Sequence, residues 1–489
     1  MANSFRYIWP VFKIMRILLI KFLLLCCLNV QAQDKWDLRR CVEHAMQHNL
    51  TVKQADVQAR LAELQTKQLE AGKIPSLSFN TNLGYNFGRS IDPTSNQFVT
   101  QKVFFQGLNL QTTLPVFNFF SVKNNIESSR LNEQSVIAGV DRAKNDVALL
   151  VAGYYLQLVL SIEQQHLAEL QVEQTASQLQ NTLKLVEAGN LPELNAAQLA
   201  AQLARDSSSL ISAFQNVINN KMLMRAALNL DAEMPFEVSV PDIDLIPLES
   251  LVTLQPSLVY AEGLKKNPTQ IQDSLRIVSA EYSIKSARGA MYPTLSFFGS
   301  IGSNYASTFR QFAGAVPNGN FDTVAVVPVN GVDYYALTPG FDVSLKRPGY
   351  FKQMSDINLQ QNFGLSLSVP IFNSRQLKTN YNRSKLNLIS AKLTQHQDRQ
   401  NLQQNVYKAY SDVIAAKQKL EADTRSEVTA SYAFDLSKKR FDAGLLSTIE
   451  YIIAQNDMFK SRIQKLLSKY DFIFKVKVLE FYRGDGIKL

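Results

Sequence analysis

The stretches Gly107-Leu-Asn-Leu-Gln-Thr-Thr-Leu-Pro-Val-Phe-Asn118 and Phe363-Gly-Leu-Ser-Leu-Ser-Val-Pro-Ile-Phe-Asn373 alternate apolar with small polar residues, and both close on Pro-x-Phe-Asn. Their surroundings keep one register. Pro115 lies 74 residues before Gly189, in Glu187-Ala188-Gly189, and Pro370 lies 74 before Gly444, in Asp442-Ala443-Gly444. Upstream, Asn49 to Pro75 and Asn267 to Pro293 are both 26 residues, and these prolines open Pro75-Ser-Leu-Ser-Phe79 and Pro293-Thr-Leu-Ser-Phe297. The chain reads as a duplication, with a first repeat over 33–260 and a second over 261–489. All the length difference falls between the paired prolines, 40 residues apart in the first half and 77 in the second. That excess of 37 residues falls in the insert between the second pair of strands, about residues 306–357 with Pro317, Pro328, Pro339 and Pro348, which reads as a surface loop outside the cell.

Between Pro115 and Gly189 no proline interrupts a helical stripe, Val147, Val151, Tyr154 and Leu158, which recurs as Leu402, Val406, Ala409 and Val413. A helix from about Phe120 to Glu187, at 1.5 Å per residue, is roughly 100 Å long. Asn118 and Asn373 stand where N-caps are expected, and Gly189 and Gly444 where a left-handed residue reverses the chain. Shorter helices are expected over 193–229 and 448–480 after the reversals, and over 37–72 and 261–289 before the strands. The stripe itself is ordinary coiled-coil packing.

The strands alternate throughout. Leu77, Phe79, Leu83, Tyr85 and Phe87 oppose Ser76, Ser78, Asn80, Asn82 and Asn86; Leu108, Leu110 and Leu114 oppose Asn109, Gln111 and Thr113; Leu295, Phe297 and Ile301 oppose Ser296, Ser300 and Asn304. The fourth sets Phe363, Leu365, Leu367 and Val369 against Asn362, Ser366 and Ser368. Each is about 10 residues, enough for a tilted membrane strand. A soluble sandwich would alternate similarly, but helices of this length offer no opposing sheet. Lipid is the solvent that suits the apolar faces, provided that the sheet closes. Four strands cannot close a barrel, so several chains must share one.

The first 32 residues hold Arg6, Lys13, Arg16 and Lys21 without an acid and run into an apolar stretch, Ile14 to Val30, a signal-peptide pattern. Cleavage after Ala32 removes those four charges from the net +9 and leaves +5, so basicity does not argue for nucleic acid. Lipoprotein processing at Cys26 or Cys27 meets a bulky Leu25, and a start at Met15 gives a tidier signal. Beyond residue 33 no run approaches the roughly 18 consecutive apolar residues of a membrane helix. With 46% apolar and 19% charged residues the chain can bury a core. Three cysteines exclude a disulfide scaffold, and Cys41 is the one thiol left after signal removal. There is no phosphate loop, no nucleophile with a base and no spaced carboxylate pair; an enzyme and a cofactor are not expected. His44 and His48 sit four apart without a third ligand and read as solvent-facing rather than metal-binding. Gln164, Gln165, Gln171, Gln174 and Gln178 suit a water-filled lumen or any exposed helix.

An exported, duplicated chain of strand pairs and very long helices resembles the TolC family of outer-membrane efflux proteins over nearly all of its mature length. The resemblance is carried by Trp36-Asp-Leu-Arg-Arg-Cys-Val-Glu-His-Ala-Met-Gln-His-Asn49, the two Pro-x-Phe-Asn junctions and the Ala-Gly reversals at 188–189 and 443–444. Gly88-Arg-Ser-Ile-Asp-Pro-Thr-Ser-Asn-Gln-Phe98 and the ending Tyr470 to Tyr482 look like its Bacteroidetes branch. It implies a mixed α/β membrane protein: long antiparallel helices forming an α-barrel tunnel across the periplasm, and a homotrimer whose four strands per chain build a shared 12-stranded barrel in outer-membrane lipid. It implies a passive conduit for small molecules, fed by a periplasmic membrane-fusion adaptor and an inner-membrane transporter, proton-driven or of ABC type, with no nucleic-acid partner. In such proteins acidic residues ring a narrowed tip beside the reversals. Glu450 matches one acidic position, while Ile453 stands where relatives can carry a second acid. Glu193 and Asn195 lie at the other reversal; for Glu450 the plain alternative is a solvated glutamate. Gly189, Gly444 and Leu445 are candidates for adaptor docking. The outer channel of a type I protein-secretion system shares the fold, and a soluble periplasmic coiled-coil scaffold is a third reading.

Overall fold

The computed structural model describes residues 35–91, 96–100, 102–231, 233–241, 246–484 and 486; the expected signal segment 1–32, with Cys26 and Cys27, lies outside them. In chain order the elements are α1 (Leu38–His48), α2 (Leu50–Ala71), β1 (Ser76–Asn86), β2 (Arg89–Ile91), β3 (Phe98–Thr100), β4 (Val103–Phe117), α3 (Ser121–Glu187) and α4 (Glu193–Leu228). There follow α5 (Pro256–Lys266), α6 (Pro268–Gly289), β5 (Thr294–Ala306), β6 (Gln311–Val329), β7 (Val332–Lys346), a short α7 (Tyr350–Lys352), β8 (Gln360–Ser368), α8 (Gln376–Asp442) and α9 (Thr448–Arg483). Helices pair by length: α3 and α8 have 67 residues each, α4 and α9 36, α1 and α5 11, α2 and α6 22. Two compact units form, each from both halves of the sequence: Met1–Ala62 with Asn132–Arg276 and Ala391–Leu489, and Glu63–Leu131 with Ile277–Ser390.

In the first unit the two helical stripes are buried as their spacing predicts, except that Tyr154 is half-buried and its neighbour Tyr155 takes the core position. Val147, Val151 and Leu158 of α3 pack with Leu38, Cys41 and Ala45 of α1 and with Val217, Met224 and Leu228 of α4. Leu402, Val406, Ala409 and Val413 of α8 pack with Val259 of α5 and Val476 and Leu479 of α9. Among the described residues α3 alone has a window apolar enough to cross a membrane, and its Val147, Ala148, Val151, Ala152, Leu158 and Val159 belong to this core. The chain after α4 closes the first cluster: Trp36 N–H donates to Glu237 O (2.8 Å), Ser239 N–H to Trp36 O (2.9 Å) and Tyr155 OH to Ser239 O (2.6 Å). Burial, with Asp37 nearby, pushes the Cys41 thiol up to about 12.

The single helices expected over 37–72 and 261–289 are each two. Asn49 is extended (φ −62°, ψ 137°); its carboxamide accepts from Thr51 N–H and donates to Ala227 O, both at 2.8 Å. Asn267 is likewise extended (φ −68°, ψ 123°) and accepts from Thr269 N–H at 2.9 Å, with Pro268 opening the next helix. Asparagine thus ends one helix and caps another.

The second unit holds a four-stranded antiparallel sheet in the order β1-β4-β5-β8. Its register aligns like with like: Phe79 opposite Leu110, Leu110 opposite Ile301 and Phe297 opposite Leu365 on one face, with Asn80 opposite Asn109 and Ser296 opposite Ser366 on the other. The apolar face is open, Leu77, Phe79, Leu83 and Leu365 being 61–70% exposed, and the outer edges of β1 and β8 have no partner strand among the described residues. The expected loop 306–357 is instead ordered: β6 and β7 form a two-stranded ribbon, and Tyr350–Lys352 leads into a π-turn, Gln353–Ile357. Pro317, Pro328 and Pro339 lie within the ribbon, which has only edge strands and so tolerates residues without an N–H.

Strand meets helix through a left-handed pair, Phe119 and Phe120 (φ 47° and 60°) in the first half, Ser374 and Arg375 (50° and 63°) in the second. Such backbone costs of order 1–3 kcal/mol per residue unless its surroundings hold it. Here Ser121 N–H and Gln376 N–H donate to Asn118 O and Asn373 O, both at 3.0 Å, and Phe119 stacks on Tyr292 at 4.9 Å. Asn118 and Asn373 therefore stand three residues before the helices rather than at the N-cap, although the Asn118 carboxamide still accepts from Val122 N–H (3.3 Å). Serines then hold α3 against α6: Ser121 and Ser286 each donate to the other's carbonyl (2.9 Å), as do Ser128 and Ser279 seven residues along. Leu158→Ala, at a site with no exposure, should lower unfolding free energy by about 2–5 kcal/mol in chemical denaturation, whereas Leu150→Ala, 46% exposed, should change it by less than about 0.5 kcal/mol.

Candidate functional site: the two helix reversals

The two long helices stop in the same way. At the end of α3, Gly189 N–H donates to Val186 O (2.9 Å) and Asn190 N–H to Leu185 O (2.8 Å); at the end of α8, Gly444 N–H donates to Phe441 O (2.9 Å) and Leu445 N–H to Arg440 O (2.8 Å). This is a Schellman stop, which needs a left-handed residue, and Gly189 and Gly444 take φ of 75° and 73°.

The helices that follow start differently. Pro192 precedes α4 without a side-chain cap; Glu193 is exposed in its first turn, and Asn195 N–H donates to Pro192 O (3.1 Å). Ser447 precedes α9 in a capping box. Its hydroxyl accepts from Glu450 N–H (3.3 Å), while the Glu450 carboxylate accepts from Ser447 Oγ (2.7 Å) and Ser447 N–H (3.1 Å). The Ser447 hydroxyl first, then its N–H, with Arg440 opposing burial, hold the Glu450 carboxyl below the usual range. Glu450 therefore has a local structural task that the sequence reading, which weighed only a pore acid against a solvated one, did not include.

One core fixes these turns. Tyr451 is fully buried and stacks on Phe441 (4.7 Å), close to Phe434 (5.7 Å); Leu199 of α4 and Leu179 of α3 join it. Deeper, the buried Asp206 carboxylate accepts from Gln171 (2.9 Å), Gln202 (2.8 Å) and Thr175 (2.7 Å), and Gln455 donates to Thr175 (3.0 Å). Gln171, grouped by sequence with a wet helix face, thus ties α3 to α4.

Gly189, Glu193 and Asn195 lie at one reversal and Gly444, Leu445 and Glu450 at the other. Leu445 is 70% exposed and Leu194 64%, so both turns present apolar side chains to solvent. Between α8 and α9 runs an open groove of about 700 Å³, lined on α8 by Ser426, Ala430 and Ala433 and on α9 by Glu450, Ile453 and Asp457. Asp457, which the sequence reading did not single out, shares this groove lining with Glu450. Two helical turns, seven residues, return a side chain to the same face, a spacing that could have found it. His44 and His48 stack at 4.1 Å, His44 also meeting Trp36 edge-on at 5.1 Å; no metal-binding group occurs among the described residues.

The chain thus combines an open antiparallel sheet with one apolar face and duplicated 67-residue helices that stop at Schellman turns. The sequence profile of the outer membrane efflux protein family matches residues 41–230 and 259–480, and the chain belongs to that family. Among curated relatives, the outer membrane efflux protein BepC of Brucella suis biovar 1 (strain 1330) is 21% identical over 399 residues, 80% of this chain and 73% of BepC. The probable outer membrane lipoprotein SilC of Salmonella typhimurium is 20% identical over 438 residues, 86% of this chain and 80% of SilC. The crystal structure of CusC superposes with a TM-score of 0.72 at 15% identity, covering 94% of this chain and 96% of CusC. The chain is an outer-membrane protein and not an enzyme.

Ser447→Ala should remove both hydrogen bonds of the Ser447 hydroxyl and leave the Glu450 carboxylate only the backbone N–H of residue 447. Hydrogen exchange of the first-turn amides of α9 should then speed by roughly fivefold, as expected for a cap worth about 1 kcal/mol, while the amides of α4 behind Pro192 keep their rates.

Proposed function

We propose that the chain is the outer-membrane exit duct of a tripartite efflux system, passively conducting small molecules from a periplasmic adaptor and an inner-membrane transporter, proton-driven or of ABC type. The observation that carries this reading is the four-stranded sheet with one apolar face, one polar face and two open edges. In lipid every edge must pair, and β8 of one copy can pair with β1 of the next. Three copies give 12 strands in one barrel, with the polar face lining water. The halves 33–260 and 261–489 are read as repeats whose long helices form the α-barrel across the periplasm; the paired helix lengths support this. A soluble scaffold is disfavoured by the exposed Leu and Phe of the sheet. Membrane fractionation with an unheated gel tests the reading: a heat-labile trimer released only by detergent is expected, and monomer in the periplasmic fraction would overturn it.

At the tip, Glu450 and Asp457 from each copy, with Glu193 and Asn195 at the neighbouring reversal, are the candidate constriction. Like charges held around a narrow opening raise the local cation concentration, and the hydrogen bonds from Ser447 keep Glu450 ionised. Glu450→Gln combined with Asp457→Asn should lower the cation-to-anion permeability ratio several-fold in planar bilayers; unchanged selectivity would sink this assignment.

Adaptor docking is assigned to the turns at Gly189 and Gly444, where Leu445 and Leu194 supply exposed apolar contacts. Leu445→Arg should reduce adaptor recovery in a pull-down by at least about tenfold, the loss expected when a charge is buried in an apolar contact, with the trimer intact. Wild-type recovery would remove the assignment.

A further inference from the structure

Where α6 begins, after the break at Asn267, it lies against both α3 and α8. Ser135 of α3 donates to Gln272 O (3.0 Å), and Gln395 of α8 donates to Ser274 Oγ (3.3 Å). Beside these contacts opens a cleft of about 270 Å³, lined by Arg142 and Asp146 of α3, Gln270 of α6, Asp398 and Asn405 of α8, and Tyr482 of α9. One buried acceptor on this lining has no donor, and a second, on α6 next to the lining, has none either. Gln270 is 5% exposed and its Oε1 takes no hydrogen bond; Asp273, one turn further along α6, is 3% exposed and its Oδ2 takes none.

The charges facing Asp273 are Asp398 of α8, Arg276 of its own helix and Arg142 of α3; Asp146, paired with Arg142 at 3.8 Å, adds another carboxylate beside Tyr482. Three carboxylates against two guanidiniums leave one unbalanced negative charge when all are ionised. That charge calls for a monocation. The orphaned acceptors call for hydrogen-bond donors, because a buried oxygen without one forfeits its hydration. A bare metal ion fits less well: calcium takes six to eight oxygens, and no group of three metal-binding side chains occurs among the described residues. We infer that this cleft binds a primary ammonium group, which donates to Gln270 Oε1 and to the Asp398 carboxylate on its lining and offsets the negative charge that Asp273 adds behind them.

Binding of RNH₃⁺ then joins α6 to α8 by charge-assisted hydrogen bonds. Burial first, then the charge of Asp398, raise the Asp273 carboxyl to about 6 against the opposing pull of Arg276 and Arg142. Below that pH the proton competes with the ligand; above it the site is free to take the ammonium. The site belongs to the helical scaffold and stands whether or not the chain conducts.

The test is isothermal titration of the intact chain in detergent with butylammonium at pH 7.5 and pH 5, using butan-1-ol and tetramethylammonium as comparisons. Saturable binding of one butylammonium per chain is expected at pH 7.5, roughly tenfold weaker at pH 5 as one competing proton requires, with neither comparison compound binding. Asp273→Asn should abolish the pH dependence along with most of the affinity. Should that variant fail to fold, as judged by helical circular dichroism, Gln270→Met should weaken binding while the pH dependence persists. No heat of butylammonium binding at pH 7.5, or equal binding of tetramethylammonium, which has no N–H to donate, would overturn the inference.

Discussion

The sheet β1-β4-β5-β8 satisfies its main chain completely only in the middle. β4 and β5 are paired on both sides, whereas among the described residues β1 and β8 each leave one row of N–H and C=O groups without a strand. In water such edges invite aggregation, and in hydrocarbon they are not tolerated. The same sheet turns Phe79, Leu83 and Leu365 outward on one face and Asn80, Asn109 and Ser366 on the other. A solvent that is apolar on one side meets the demand of the apolar face, and the proposed pairing of strands between copies would meet that of the edges. The helices inherit the consequence: every strand pair must hand its chain to a long helix within a few residues, and the left-handed pairs at 119–120 and 374–375 do this in both halves.

What the sequence revealed was periodic, and what it concealed was local. The stripes through Val151 and Val406 were legible because burial on a helix repeats at fixed spacing, and both are fully buried. The reversals were legible because glycine is the residue that takes φ near 75° without strain. The helix break at Asn49 was not, since asparagine on a polar face fits a continuous helix as well as a cap and only its hydrogen bonds decide; the break at Asn267 was marked by Pro268 and passed over. Phe119 and Phe120 were hidden for the opposite reason, bulky side chains being poor markers of left-handed backbone. The ribbon β6–β7 was obscured by its prolines and glycines, which signal a loop unless both strands are edges.

At the tip the candidate acids were legible by position and not by role. Glu450 was singled out by its distance from Gly444, yet the structure gives its carboxylate to Ser447. The two roles do not compete. Hydrogen bonds to the charged form lower a carboxyl's pKa, so the cap that starts α9 also keeps a negative charge at the mouth of the turn. Asp457 escaped notice because a search at three residues finds Ile453, whereas the groove face returns at seven.

The two reversals show how a duplicated chain can specialise without changing its frame. The stops at Gly189 and Gly444 share their hydrogen bonds almost atom for atom, because any other ending would misdirect a 67-residue helix. The starts are freer. Pro192 presets its own φ and offers no side-chain acceptor, whereas Ser447 and Glu450 close two hydrogen bonds across the first turn. The first turn of α9 is therefore held by side-chain chemistry that responds to pH, as Glu450 loses its role only when protonated, well below neutrality. The first turn of α4 is held by backbone geometry alone, which does not titrate. A tip built from both keeps one reversal indifferent to its medium and makes the other the place where charge and helix geometry are coupled.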